Sequence, residues 1–467
     1  MRITIDRENQ QPLARQIYNQ IRRMILNGDL ESGKKLPSTR MLSSELSVSR
    51  NTVIEAYSQL IAEGYLCAYE GSGTVVSDGL RAPGIAAPSD LTPAPRQHEK
   101  PPANQIIDFR TGVPALEYFP RKEWCGLYRD VCGEIPPSSF GYCEAPGIWE
   151  LREAIAQYLY RARGISCDPA QIIITSGSTQ GLSIISHALK DNRKVALVEN
   201  PSHPGLRKVI TLAGCPVEGV FADDRGLRVE LLDSQKKVSL IYITPSHQYP
   251  TGVIFPVQRR LELVRYAEQN DCYIVEDDYD SEFRYEGQPV SSLYELDPER
   301  VIYLGSFSKI LAPALRLGFM ILPRKLLRLC KKIKTYSDVH SDSLGQFVLT
   351  RFIREGGFEK HIWKMKKIYG GKRSLLIGEL SKRFPGQFAV LGHATGLHLV
   401  ARFRGGVFTK KTVNKIAGSG ARVYRIGSFY FKENQTDDDR IILGYSHLSH
   451  DEIIKGVDII SGVLSRP

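Results

Sequence analysis

From Ile172 onward the chain alternates short apolar runs with segments of helical spacing, and this alternation restricts the fold more than any other feature. The runs are Ile172 to Thr175, Val195 to Val198, Leu240 to Ile243, Tyr273 to Val275, Val301 to Leu304 and Leu317 to Leu322. Short runs that are apolar throughout suit strands buried on both faces. The expectation is an α/β fold on a mostly parallel sheet, with ligands at or just after the strand ends. Strands near Leu397 to Ala401 and Ile441 to Gly444, with helices between and after them, read as a smaller α+β domain.

Chemistry-bearing residues stand where this fold places ligands. Gly305-Ser306-Phe307-Ser308-Lys309 follows one run and leads to Arg316, and Glu276-Asp277-Asp278-Tyr279 ends the run before it. A lysine that carries an aldehyde cofactor as a Schiff base must lie beside the cofactor's phosphate, where Ser306 and Ser308 supply hydroxyls and Arg316 a bidentate clamp. A carboxylate such as Asp277 against a pyridine nitrogen keeps the ring protonated and electron-withdrawing. Tyr279 is placed to bond the ring hydroxyl. Ile172 to Thr175 runs into Ser176-Gly177-Ser178-Thr179-Gln180, which opens a helical pattern, so Gly177 to Gln180 would cradle the phosphate at a helix N-terminus. Together these residues predict a pyridoxal 5'-phosphate site.

From about residue 105 to the C-terminus the constellation resembles the fold-type I, aspartate aminotransferase-like enzymes. Tyr142, Gly147 and the run from Leu151 to Ile155 are similar to the family's segment before its first large-domain helix. Glu199 to His203 is similar to its ring-stacking loop, with His203 where an aromatic ring is usual. In Thr244 to Gly252, Tyr249 stands where ordinary aminotransferases have the asparagine that bonds the ring oxygen. This Ser-His-Gln-Tyr variant resembles the MocR/GabR group, in which an aminotransferase-like domain is joined to a DNA-binding domain.

The N-terminus tests that resemblance independently. Leu36 to Leu42, Glu45 to Val53 and Glu63-Gly64-Tyr65-Leu66 resemble a GntR-type winged helix-turn-helix. Pro12, Leu13, Ile17, Ile21, Met24 and Ile25 predict a first helix that ends at Asn27-Gly28. Ser38 or Thr39 caps a second, carrying Leu42 and Leu46 inward, and Ser49 caps a third with the stripe Val53, Ala56, Tyr57, Leu60 and Ile61. That stripe leaves Arg50, Asn51 and Thr52 at the end a reading helix presents to base edges, with Arg40 nearer the phosphates. Tyr65, Cys67 and Tyr69, then Gly71-Ser72-Gly73 and Thr74 to Val76, predict a two-stranded wing with a glycine turn.

The boundaries expected are 1–78 for the DNA-binding domain, 79–105 for a proline-rich linker and 106–467 for the aminotransferase-like domain. With 467 residues the chain exceeds the size at which one core stops growing, and 42% hydrophobic content supports two. The net charge of +11 does not reside in the DNA-binding domain, where nine basic residues face nine acidic ones. The excess lies around Arg324 to Lys334 and Lys360 to Arg373, read as solvated helix faces, with contacts to flanking DNA as the sharper alternative. The eight cysteines lack paired spacing, so neither a metal site nor a disulfide framework is indicated. No signal-like or membrane-crossing segment is found, so a cytoplasmic protein is expected.

The family resemblance implies a bacterial homodimer that grips an operator in double-stranded DNA and responds to an amine, an amino acid or pyridoxal phosphate. The alternatives are a working aminotransferase with a DNA-binding appendage and a scaffold without cofactor. Ser428 stands where the family's carboxylate-binding arginine aligns, which leaves Arg207 and Arg425 as candidates for an effector carboxylate and lowers the expectation of efficient transamination.

Overall fold

A computed structural model describes residues 1–69, 73–80, 106–288, 290–405, 408–432 and 439–465. Gly71, expected in the wing turn, and positions 81–105 of the expected linker lie outside the described residues. The chain divides into two compact units, Met1–Lys100 and Pro101–Pro467. Among the described residues no helix is long and apolar enough to cross a membrane.

In the first unit, α1 (Leu13–Leu26), α2 (Thr39–Leu46) and α3 (Arg50–Ala62) pack around Ile17, Ile21, Leu42, Val53 and Leu60, all buried. Ser38 Oγ accepts from Met41 N and Ser49 Oγ from Thr52 N, each at 3.2 Å, so two serine caps fix where α2 and α3 begin. Ser47 closes α2 in the left-handed region, at φ 52°, which turns the chain sharply into α3. Ile61 departs from the predicted stripe and is exposed, because Leu60 already fills the core position on that turn. The wing strands β1 (Leu66–Tyr69) and β2 (Gly73–Val76) pair antiparallel, with Leu66 opposite Val76 as the inward pair.

The second unit begins with the short strand β3 (Ile107–Asp108). Its main sheet contains β4 (Ile172–Thr175), β5 (Val195–Asn200), β6 (Val217–Asp223), β7 (Gly226–Leu227), β8 (Val238–Ile243), β9 (Tyr273–Asp278), β10 (Val301–Ser306) and β11 (Gly318–Ile321). The spatial order is β4-β11-β10-β9-β8-β5-β6-β7. The centre from β6 to β10 is parallel; β11 runs against β10 and β7 against β6, while β4, antiparallel to β11, points the same way as the centre, so six of the eight strands share one direction and the sheet is mostly parallel with two reversed strands. The physical cause for β11 is the short connection from Phe307 to Leu317, which holds no crossover helix and returns the chain antiparallel. Strand β6 was not marked by an apolar run, because only Val220 and Ala222 along it are buried.

Alternate strand residues face opposite cores. Ile241 and Ile274 join a layer with α4 (Arg121–Glu134), α5 (Trp149–Arg163) and residues of α8 (Val257–Gln269) and α10 (Ser343–Arg354). Leu240, Tyr242 and Val275 face α6 (Ser178–Ala188), α7 (Pro204–Leu212) and α9 (Arg324–Asp338) on the other side. The 27-residue helix α11 (Gly357–Arg383) then leads to a four-stranded antiparallel sheet of β12 (Phe388–Leu391), β13 (His398–Phe403), β15 (Tyr424–Arg425) and β16 (Arg440–Gly444). Helices α12 (Lys410–Gly418) and α13 (His450–Leu464) accompany that sheet, and β14 (Ala421–Arg422) pairs with β3.

Candidate functional site

A pocket of about 210 Å³ opens at the ends of the central strands, lined by Ser178, Thr179, Tyr242, Asp277, Tyr279 and Lys309 among others. Its floor is the turn from β4 into α6. Gly177 is the N-cap of α6 at φ 92°, and a Cβ there would lie 3.2 Å from the Arg316 guanidinium, so the residue satisfies both a backbone need and a close approach. The first N–H groups of a helix have no partner inside it, which leaves an anion cradle at Ser178 and Thr179. The Arg316 guanidinium donates to the carbonyl of Ser176, which fixes it beside this turn. Ser306 and Ser308 are buried, and Ser306 Oγ accepts from the Ser308 backbone N–H at 3.2 Å.

Gln180 does not join the lining. Its Oε1 accepts from Ser176 N and its Nε2 donates to Asp338 Oδ2, both at 2.8 Å, so its amide braces the turn from behind. Asp338 in turn holds the buried Lys334, whose Nζ lies 2.5 and 2.7 Å from the two carboxylate oxygens. Lys334 and the buried Lys372, which donates to the Ser446 carbonyl at 2.8 Å, are therefore not part of solvated helix faces. Each packs its stem inward and finds a local acceptor, which the spacing of charges alone does not reveal.

At the opposite end of the pocket, Asp277 is the last residue but one of β9. Its Oδ2 accepts from the Tyr242 hydroxyl at 2.5 Å, while its Oδ1 is buried without a hydrogen-bond partner among the described residues. Burial pushes this carboxyl up to about 6, with the Tyr242 hydrogen bond pulling the other way. Lys309 donates from Nζ to the Gly112 carbonyl at 2.6 Å, and burial lowers its pKa against the pull of Asp280 and Asp277.

Tyr279 donates its hydroxyl to the His247 carbonyl at 2.8 Å, and Tyr249 shares a 2.9 Å hydrogen bond with Thr111. The rings of His203 and Tyr249 lie 5.3 Å apart on the pocket wall. His203 also begins α7, accepting from Gly205 N on Nδ1 at 3.1 Å. Behind Tyr279, buried His247 bonds Asp280 through Nδ1 at 2.9 Å and stacks on His398 at 4.4 Å. Of the two effector candidates, Arg207 packs over Phe431 at 4.4 Å and Arg425 is buried in β15. Neither is among the pocket's lining residues.

Sequence reasoning missed Thr111, Gly112, Leu206, Tyr242, Thr244 and His398 in the lining. A tyrosine in the otherwise aliphatic run from Leu240 to Ile243 is a usable signal, because a buried hydroxyl needs a partner. Gly112 carries no such mark.

In the first unit, Arg40, Arg50 and Asn51 are exposed, with Arg50 Nε 3.5 Å from Thr39 Oγ1. Ser38, Ser49 and Thr52 stand at the same end, but their hydroxyls serve the caps: Ser49 Oγ lies 2.8 Å from Thr52 Oγ1. Gly73 opens β2 at φ 92°, where a Cβ would meet Lys35 Cε at 2.9 Å.

Residues 134–455 match the family aminotransferase class I and II, and residues 13–76 match the bacterial regulatory proteins of the gntR family. The chain is 32% identical to the probable rhizopine catabolism regulatory protein MocR of Rhizobium meliloti, over 98% of this chain and 94% of that one. It belongs to the GntR-family regulators of the MocR type. This MocR-type regulator is also 33% identical to the HTH-type pyridoxine biosynthesis transcriptional regulator PdxR of Corynebacterium glutamicum, over 77% of each. The kynurenine aminotransferase of Pyrococcus horikoshii matches it with TM-score 0.71 and 27% identity, over 78% of this chain and 91% of that one.

The cofactor of this MocR-type regulator is pyridoxal phosphate, and its first unit is a DNA-binding module. The residues present fit the cofactor. The unpartnered Asp277 Oδ1 suits a ring N–H, and the glycine turn with Arg316 suits a phosphate.

Proposed function

We propose that this chain is a homodimeric, cytoplasmic bacterial regulator whose cofactor pocket reads an amine, an amino acid or pyridoxal phosphate itself, and thereby alters the grip of its winged units on operator DNA. The observation that carries this reading is a pocket equipped for the cofactor whose lining includes neither Arg207 nor Arg425. Turnover of an amino acid calls for a cation at its carboxylate, so transamination is expected to be weak or absent.

When bound, the cofactor supplies an aldehyde that condenses with amines and a ring that withdraws electrons. We assign Lys309 to the aldehyde, Asp277 to the ring nitrogen, Tyr249 and Tyr279 to the ring oxygen, and His203 to the ring face. Ser178, Thr179, Ser306, Ser308 and Arg316 take the phosphate. The lowered pKa of Lys309 favours the neutral, nucleophilic amine. Arg207, one helical turn beyond His203, is the nearer candidate for an effector carboxylate, and Arg425 is the alternative.

Homodimerisation is supported by Phe140 and by Tyr142, which is 88% exposed and meets His340 edge-on, next to the Ser341 hydroxyl that lies 3.4 Å from Ser176 Oγ in the phosphate turn. An exposed aromatic loop beside the site is suited to a second copy of the chain. The test is to titrate the purified holoprotein with a panel of amino acids and amines while following its visible absorption, its DNA affinity and keto-acid release. Absorption and affinity that shift together without product support the sensor. Steady product formation would replace it with an aminotransferase carrying a DNA-binding appendage.

A further inference from the structure

A second pocket, of about 380 Å³, lies between the C-terminal end of α5, the turn after β9 and the first turns of α11. It shares no lining residue with the cofactor pocket. Its walls carry Arg161, Arg163, Arg284 and Lys366 against the carboxylates Glu282 and Glu359. Two of the cations are already matched: Arg161 pairs with Glu359 at 2.7 Å, and buried Arg163 pairs with Asp278 at 2.8 Å.

Arg284 and Lys366 form no ion pair among the described residues, and Arg284 Nε is buried without a hydrogen-bond partner. A half-buried guanidinium without an acceptor is costly, so an anion that supplies one gains both the attraction and the relief. Ser281 is buried in the same lining, and its Oγ also lacks a hydrogen-bond partner among the described residues. Burial pushes Glu282 up to about 7, so near neutrality this carboxyl is only partly charged and offsets only part of the positive field. Trp363, 75% exposed, stands with Ile362 and Tyr158 as an apolar wall.

We propose that this pocket is a second binding site, taking a small organic anion whose phosphate or carboxylate head meets Arg284 and Lys366 and whose planar body lies against Trp363. Arg163, in its lining, also holds Asp278, the neighbour of Asp277, so the two pockets share strand β9.

The test is calorimetric titration of the holoprotein, its cofactor pocket filled, with phenyl phosphate and with inorganic phosphate, together with the fluorescence of the tryptophans. Phenyl phosphate is expected to saturate with a Kd of about 1 mM or tighter and to change the fluorescence of the native chain but not of Trp363→Phe. Arg284→Ala should weaken it about tenfold or more with the bound cofactor's visible band unchanged. Should Arg284→Ala fail to fold, Lys366→Gln on α11 provides the same comparison with a several-fold loss. No saturable heat from either probe up to about 10 mM, or unchanged affinity in these variants, would overturn the site. Equal affinity for the two probes would overturn the role of the apolar wall.

Discussion

The cofactor pocket and the exposed end of α3 are built on opposite principles. In the pocket the polar groups are buried, few are solvated, and partners come from distant parts of the chain: Lys309 meets Gly112, and Tyr242 meets Asp277. At the start of α3 the charged groups are exposed, and the hydrogen bonds that place them run only three residues along the chain, from Ser49 to Thr52 and from Ser38 to Met41. Burial can shift the ionisation of a group, as it does for Asp277, whereas an exposed arginine keeps its charge and acts by position alone. A chemical sensor is served by the first arrangement and a DNA reader by the second.

The contrast predicts separable losses. Lys309→Ala should abolish covalent cofactor retention, seen as loss of the visible band after dialysis, and with it the effector response. The folded winged unit should still bind non-specific DNA, and a normal effector response in this variant would refute the assignment of Lys309.

Asp277→Asn sharpens the comparison from the side of stability. A folded-state pKa of about 6, above the ordinary 3.8, means the buried carboxylate destabilises the cofactor-free fold once it is charged. The contribution of its protonated form is present below about pH 4 and is lost as pH rises through about 6. The cofactor-free variant should therefore be more stable than the native chain at pH 7, by up to about 3 kcal/mol, with the gain vanishing by about pH 4. Thermal melts across that range check it; a variant equally stable at both pH values would show that the carboxylate is solvated.

Arg50→Ala should weaken operator binding by about 1 to 3 kcal/mol and relax preference at one base position if the guanidinium reads a base edge, with the cofactor band untouched. Fluorescence anisotropy on a set of single-base operator variants distinguishes this from a uniform loss, which would make Arg50 a phosphate contact. The smallest effect is expected for Ser49→Ala, which removes the α3 cap at a cost of about 1 kcal/mol to the winged unit. Calorimetric melting should show the first unit destabilised and the second unmoved.

The same contrast explains what the sequence makes legible. The winged unit reads almost completely from contiguous residues, because caps and helix stripes are local relations. The exception, Ile61, fails because a stripe wide enough to include it exceeds what one core face can bury. In the second unit the motif residues Lys309, Asp277, Tyr279 and Ser178 stand out because each stands at or just after the end of a strand or opens a helix. Gly112, Thr111 and His398 do not, since their places are set only when remote segments meet. Gln180 shows the converse limit: adjacency to a phosphate turn says nothing about which way an amide faces. The reversed direction of β11 follows from connection length, which the apolar run itself does not encode.

The brace behind the phosphate turn has a consequence for exchange of the cofactor. Because Gln180, Asp338 and buried Lys334 hold the turn from the protein's own side, its shape does not depend on the phosphate it receives. A preorganised cradle loses little conformational entropy when a ligand arrives, so occupancy should follow the free concentration of pyridoxal phosphate without a slow ordering step. Exchange of the cofactor would then be limited by its encounter and release rather than by rebuilding of the turn.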